Sequence, residues 1–204
     1  MRGCRWRRIE AGGVEARVCV DPCVYEPAED SMLAARLLSR AVEPGWSVVD
    51  VGSGTGILSA VAVGLGAGRV AAVDVSPYAV NASRMTLEAS APAGSWMVAR
   101  CRSARCLRPG WDLAVSNMPY LPRVEGERDE CGGWLVASWS TSREGMGELC
   151  TALAGLSGRV IAVYSSLSPL DVRECLEKLG YRLVYSLEEG FFMERLMAVY
   201  MVRG

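Results

Sequence analysis

Residues 48–56 read VVDVGSGTG, and this stretch constrains the fold more than any other. An apolar run ends in three glycines at alternate positions, and a second apolar run, ILSAVAVGL, follows at once. Strand, tight loop and helix N-terminus in that order build a nucleotide-type site. Glycine lets the backbone turn sharply there and approach a ligand closely. The rest of the chain repeats the alternation. SVVDVG (47–52), RVAAVDV (69–75), SWMVARC (95–101), WDLAVSN (111–117) and RVIAVYSS (159–166) read as strands. Helices are expected in SMLAARLLSRAV, after Gly56, from Ser76-Pro77 to about Ala89, and near 143–155 and 169–179. Strands apolar on both faces need cover on both, so the expected class is α/β with a mostly parallel sheet. The closing segments YRLVYSLEEG and RLMAVYMV read as an antiparallel strand pair. RWRRIEAGGVEARVCVD reads as a short hairpin about Gly12-Gly13, an extension over 1–24 ahead of one domain over 25–204. Residues 121–142 read as a long loop beside any site at the end of WDLAVSN.

The glycine spacing is G-x-G-x-G, and an acid, Asp50, precedes it. A pyrophosphate would be repelled by that carboxylate, whereas a ligand with a positively charged end would be favoured. Asp74 ends the next strand, 24 residues further on. A carboxylate there can accept both hydroxyls of a ribose, with Ser76-Pro77 capping the following helix. Strand WDLAVSN then runs into NMPY, Asn117 to Tyr120. The Asn117 side-chain oxygen and the carbonyl of Met118 can accept the two N–H groups of a flat amide or aromatic amine. Pro119 fixes the chain, and the Tyr120 ring can stack on the flat group.

Composition narrows the function. The net charge is −1, which predicts neither a nucleic-acid binder nor a membrane-surface protein. No apolar run approaches the roughly 20 residues of a membrane span, and MRGCRWRRIE lacks the apolar core of a signal peptide. A cytoplasmic protein is the expectation. One lysine stands against 21 arginines, with no glutamine or histidine and only two asparagines. That usage suits a thermophile or a GC-rich genome. The eight cysteines show no CxxC spacing, which with no histidine argues against an in-chain zinc site. Buried thiols are expected, with disulfides among Cys4, Cys19 and Cys23 as the alternative.

Asp50 and Asp74 about GSGTG resemble the S-adenosylmethionine-dependent methyltransferases. Their Rossmann-like fold carries a seven-stranded sheet with an antiparallel C-terminal pair. NMPY is similar to the Asn-Pro-Pro-aromatic pattern of the amino-methyltransferases of that family. VYEPAEDS, Val24 to Ser31, followed by NMPY, looks like the HemK-type protein-glutamine methyltransferases, and most like their short archaeal and eukaryotic branch. The resemblance implies S-adenosyl-L-methionine as cofactor, held by Tyr25, Ser31, Asp50, Gly52, Ser53, Gly54, Gly56, Asp74, Val75, Ser103 and Asn117. It implies transfer at Asn117, Met118, Pro119 and Tyr120. The implied substrate is the glutamine of the Gly-Gly-Gln motif in a class I translation release factor, and the implied partner is a small zinc-binding activator subunit docked along an apolar sheet edge. The chain departs from the family at Met118, at CGGWLVASWSTS, and at Arg102. There the family carries an acid for the adenine amine, and Ser103 or a backbone group would have to substitute. The same clamp fits an adenine amine in DNA or RNA. Arg100, Arg102, Arg105 and Arg108, a basic cluster without acids, could touch phosphate. A scaffold that lost its cofactor is the non-enzymatic reading.

Overall fold

A computed structural model describes residues 4–191 and 193–204. Residues 1–3 of the expected extension lie outside it. The chain begins with a hairpin, β1 (Arg5–Ala11) and β2 (Val14–Val20). Gly12 and Gly13 turn it at φ 57° and 80°, the paired positive values of a tight two-residue turn. Then follow α1 (Glu29–Ala41), β3 (Ser47–Val51), α2 (Ile57–Gly64), β4 (Arg69–Asp74), α3 (Pro77–Ser90) and β5 (Trp96–Arg100). The second half contains β6 (Leu113–Asn117), β7 (Leu121–Pro122), α4 (Trp134–Ala137), β8 (Ser140–Thr141) and α5 (Arg143–Leu156). It closes with β9 (Arg159–Ser165), α6 (Val172–Lys178), β10 (Tyr181–Phe191) and β11 (Glu194–Arg203).

Seven strands form the central sheet in the order β10-β11-β9-β6-β3-β4-β5. Strands β9, β6, β3, β4 and β5 are parallel, and β11 and β10 are antiparallel additions. This is the α/β architecture expected from the sequence. Side chains alternate across the sheet with period two. Val48, Val70, Leu113 and Ile161 point into one apolar layer with Leu33, Leu37 and Leu38 of α1. Val49, Ala71, Ala114 and Val160 point into the other with Met146, Cys150 and Leu153 of α5. Ala16, Val18 and Val20 of the hairpin join the first layer.

Local chemistry sets the helix starts. Ser76 accepts the Ala79 N–H at 3.4 Å ahead of Pro77, and Ser142 accepts the Gly145 N–H at 3.2 Å. Each such cap contributes about 1 kcal/mol. Helix α1 starts at Glu29, two residues before the expected Ser31. Its two first-turn acids favour the positive end of the helix. Helix α6 starts at Val172 instead of 169, because Asp171 accepts the Glu174 N–H at 3.0 Å and fixes the cap there.

Two expectations need correction. The 121–142 stretch is not a structureless loop: β7 pairs with β8, and α4 lies between them. Asp129 organises it by accepting the N–H groups of Cys131, Gly133 and Val136 at 2.6, 3.0 and 2.8 Å. The cysteines are not all thiols, since Cys4 is bonded to Cys19 and Cys23 to Cys131. The second bond ties the segment ahead of α1 to the 121–142 segment across 108 residues of sequence.

Candidate active site

A cavity of about 630 Å³ opens at the C-terminal ends of β3, β4 and β6. There the chain leaves β3 for β4 on one side while β6 lies on the other. Such a switch point leaves a crevice above the sheet. The expected residues Tyr25, Ser31, Gly52, Ser53, Gly54, Asp74, Val75, Ser103, Asn117, Met118, Pro119 and Tyr120 all line it. Asp50 and Gly56 do not.

The glycine loop forms the floor. Gly52 and Ser53 donate to the Val73 carbonyl at 2.8 and 3.1 Å, tying the loop to β4. Ser53 and Ser83 hydroxyls lie 2.8 Å apart, and Ser83 donates to the Gly54 carbonyl at 3.0 Å. Gly56 has φ 81°, and a Cβ there would meet Ser83 Cα at 2.8 Å. Its role is close packing of the loop on α3, which is why it is absent from the cavity wall. Asp50 lies one layer behind the wall and is fully buried. Its Oδ2 accepts the Ser59 N–H and hydroxyl at 3.1 and 2.7 Å, while its Oδ1 is buried without a partner. Burial pushes the Asp50 carboxyl up to about 7, against the two Ser59 hydrogen bonds that pull it down.

Asp74 stands at the edge of β4, with Oδ2 accepting the Gly54 N–H at 3.0 Å and Oδ1 the Ser76 N–H at 2.9 Å. Burial raises its carboxyl despite these bonds. Each carboxylate oxygen has a second lone pair, so acceptor capacity remains toward the cavity. Beyond Asp74 the wall turns through Cys101, Arg102 and Ser103, with Ser103 at φ 48°. Arg102 donates to Glu148 of α5 at 3.3 Å, and Glu148 lines the same end of the cavity. The arginine cluster, acid-free in its own segment, therefore meets an acid in the fold. Arg100 donates to the Val75 carbonyl at 3.0 Å.

The opposite wall carries a connected polar chain. Asn117 Nδ2 donates to Ser31 Oγ at 3.3 Å. Ser31 Oγ donates to Asp30 Oδ1 at 3.3 Å, and the Ser31 N–H donates to the same oxygen at 2.6 Å. Tyr120 donates its hydroxyl to Asp30 Oδ2 at 3.0 Å. Asp30 is 2 % exposed, so these bonds are what hold its carboxylate in the interior. Burial and the Asp30 charge hold the Tyr120 and Tyr25 phenols well above their ordinary range. With its amide nitrogen committed to Ser31, Asn117 has its Oδ1 oriented the other way, buried and without a partner. Met118 is 2 % exposed and its side chain fills the lower apolar layer. Its packing stands in for the proline that the resembled pattern has between the asparagine and Pro119.

Sequence reasoning missed Asp30, Ser59, Ser83 and Glu148. Asp30 stands inside VYEPAEDS at the start of α1, where an acid has a structural reason of its own. The others had no motif to mark them.

A group with a cationic end, a ribose and a flat base fits these residues. The unpartnered Asn117 Oδ1, the free lone pairs of Asp74 and the apolar Val75 wall offer matching chemistry, with Asp50 buried behind them. Residues 30–118 match the family model of the ribosomal protein L11 methyltransferases (PrmA). A chain from Methanocaldococcus jannaschii, provisionally named a protein N5-glutamine methyltransferase, is 32 % identical over 200 residues, covering 94 % of this chain and 96 % of its own. The ribosomal protein L11 methyltransferase of Pelotomaculum thermopropionicum is 37 % identical over 112 residues, 52 % of this chain. This chain spans only 36 % of that relative's length. Among solved structures, the E. cuniculi Mtq2–Trm112 complex, responsible for methylating the termination factor eRF1, superposes with TM-score 0.67 at 19 % identity. That match covers 89 % of this chain and 99 % of the other. The ribosomal protein L11 methylase of Lactobacillus delbrueckii subsp. bulgaricus gives TM-score 0.68 at 21 % identity, covering 90 % and 83 %. At these identities the likeness is one of fold. With a near full-length relative above 30 % identity and a cavity whose free acceptors suit the cofactor, the chain belongs to the S-adenosylmethionine-dependent methyltransferases.

Proposed function

We propose that the chain methylates the side-chain amide of the glutamine in the Gly-Gly-Gln motif of a class I translation release factor. The observation that carries this reading is the Asn117 Oδ1, buried, unpartnered and oriented by the Ser31–Asp30–Tyr120 chain. A primary amide offers two N–H donors in one plane. Asn117 Oδ1 accepts one and the Met118 carbonyl the other, while the Tyr120 ring packs on the flat face. A glutamine amide nitrogen is a poor nucleophile, so holding it in line is most of the task. Alignment of that kind contributes up to about 7–11 kcal/mol in ideal cases. The bound cofactor supplies the methyl group on a sulfonium. Asp74 would hold its ribose, the glycine loop would admit its chain closely, and Val75, Ser103 and Glu148 would surround its base. Glu148 supplies the acceptor that Arg102 cannot be, and the Arg102 contact at 3.3 Å holds that carboxylate at the cavity. Asp50 braces the loop from behind through its two bonds from Ser59.

Two further features support the substrate class. The Methanocaldococcus relative matches along nearly its whole length, whereas the L11 relative matches over little more than a third of its own. The net charge of −1 gives no general attraction to nucleic acid. A small zinc-binding activator protein completes the reading, by analogy with the Mtq2–Trm112 complex. Strand β5 is the sheet edge beside the cavity, and it exposes Met97.

The test is transfer of a labelled methyl group to three recombinant targets: release factor, the same factor with its motif glutamine changed to alanine, and ribosomal protein L11. Each is run with and without a candidate activator. Label on the first alone supports the proposal. Label on L11, on the altered factor or on co-purifying RNA overturns it.

A further inference from the structure

The eight cysteines are scattered from position 4 to position 175, yet each has another cysteine beside it in the fold. Cys4–Cys19 and Cys23–Cys131 are bonded. Cys101, Cys106, Cys150 and Cys175 are thiols, and they also face one another in twos. The Cys106 N–H donates to Cys101 Sγ at 2.8 Å, across a turn of four intervening residues. The Cys101 thiol lies close enough to raise that of Cys106. Cys150 of α5 is fully buried, and Cys175 of α6 packs on the same apolar layer, near enough for its thiol to raise that of Cys150. Chemistry that needed only small buried side chains would not sort all eight into neighbours.

The 101–106 turn carries a second sign. Ser103 and Ala104 have φ of 48° and 53°, the only described residues other than glycine in the left-handed region. Such backbone persists only where its surroundings over-determine it. Ala104 is buried beneath the turn, which holds its middle, and the two cysteines bracket its ends. The same turn presents Arg102 and Ser103 to the cofactor cavity.

We propose that Cys101–Cys106 and Cys150–Cys175 form two further disulfides, so that the fully oxidised chain carries four, and that the first of them fixes the cavity-lining turn. The second half of the proposal rests on the cofactor site described above; the pairing itself does not. Each bond closes by exchange with a small-molecule disulfide such as oxidised glutathione. One cysteine thiolate attacks it, forming a mixed disulfide and releasing one thiol. The second cysteine then displaces the other thiol, so two protein S–H groups become one S–S and the oxidant takes up two electrons. Partial burial and the neighbouring Cys101 push the Cys106 thiol up to about 11. Dense disulfides are a known feature of intracellular proteins from very hot environments, which agrees with the arginine-rich, glutamine-free composition.

The experiment uses the full chain, incubated with oxidised glutathione, unfolded without reductant, alkylated with N-ethylmaleimide and digested with trypsin. Cleavage after Arg102 and Arg105 separates Cys101 from Cys106 unless they are bonded. The expected result is no alkylated cysteine and cross-linked peptides joining 101 to 106 and 150 to 175. Alkylation persisting at either pair, or glutathione retained on any of the four, overturns the pairing. Calorimetric titration with S-adenosylhomocysteine then tests the consequence. The double variant Cys101→Ser/Cys106→Ser should bind several-fold more weakly, and Cys150→Ser/Cys175→Ser should match the parent. Equal affinity in the first variant overturns the role given to the turn.

Discussion

At the residue scale the site depends on which oxygen is left free. Asn117 holds its amide nitrogen on Ser31 and thereby presents Oδ1. Asn117→Ala removes the acceptor and leaves the cofactor wall standing. We expect kcat to fall by roughly 100–1,000-fold or more, the scale for losing one preorganised hydrogen-bond partner at a reacting centre. The Kd for S-adenosylhomocysteine should stay within a few-fold. Unchanged turnover would remove the clamp from the mechanism. Asp50 gives a prediction in pH. Its carboxyl titrates near 7 in the fold against an ordinary value of 3.8, so the folded chain holds its proton more tightly than the unfolded chain. That preference stabilises the fold fully below about pH 4 and is lost as pH rises through 7. Asp50→Asn cannot ionise. The difference in Tm between this variant and the parent should therefore shift in the variant's favour between pH 5 and pH 8. A difference that stays flat across that range would mean the carboxylate is not held protonated.

At the scale of elements, the loop between β3 and α2 is shaped as much by α3 as by any ligand. Gly56 must accept both a positive φ and the Ser83 backbone at van der Waals limit. Gly13 has a similar φ of 80° but open space around it. Gly56→Ala should cost at least about 1–2 kcal/mol from the left-handed backbone alone, roughly 2–8 °C in Tm, and more from the clash. Gly13→Ala should show only the first part. Equal losses in a melting comparison would contradict the packing role. The strands and long helices were legible in the sequence because apolar runs and capping residues mark them. The interior of 121–142 was not. Its β7, α4 and β8 are too short to carry a period, and Asp129 organises them through backbone bonds that leave no pattern. The Cys23–Cys131 bond was equally hidden, since separation in sequence does not report neighbours in space.

At the scale of the whole molecule, the cavity-lining residues come from β3, β4, β6, the segment before α1 and its first turn, Cys101 to Ser103, the 134–142 segment and α5. The glycine loop, Asp74 and NMPY could be read in advance because each is a local motif with a local reason. Glu148 could not be, because it reaches Arg102 across 46 positions of sequence, and only the packing of α5 beside the turn brings them together. A site assembled from so many segments couples cofactor binding to the stability of the whole fold. A ligand at 100 times its Kd stabilises the bound state by about 2.7 kcal/mol, which is roughly 5–10 °C in Tm for a domain of this size. We expect that shift with S-adenosylhomocysteine for the parent chain and for Asn117→Ala. For Asp74→Asn it should be much smaller, because one of the oxygens meant for the ribose becomes a donor. A full shift in the Asp74 variant would place the ribose elsewhere. No shift in the parent, across ligand concentrations into the millimolar range, would leave the fold without a working cofactor site and favour the scaffold reading.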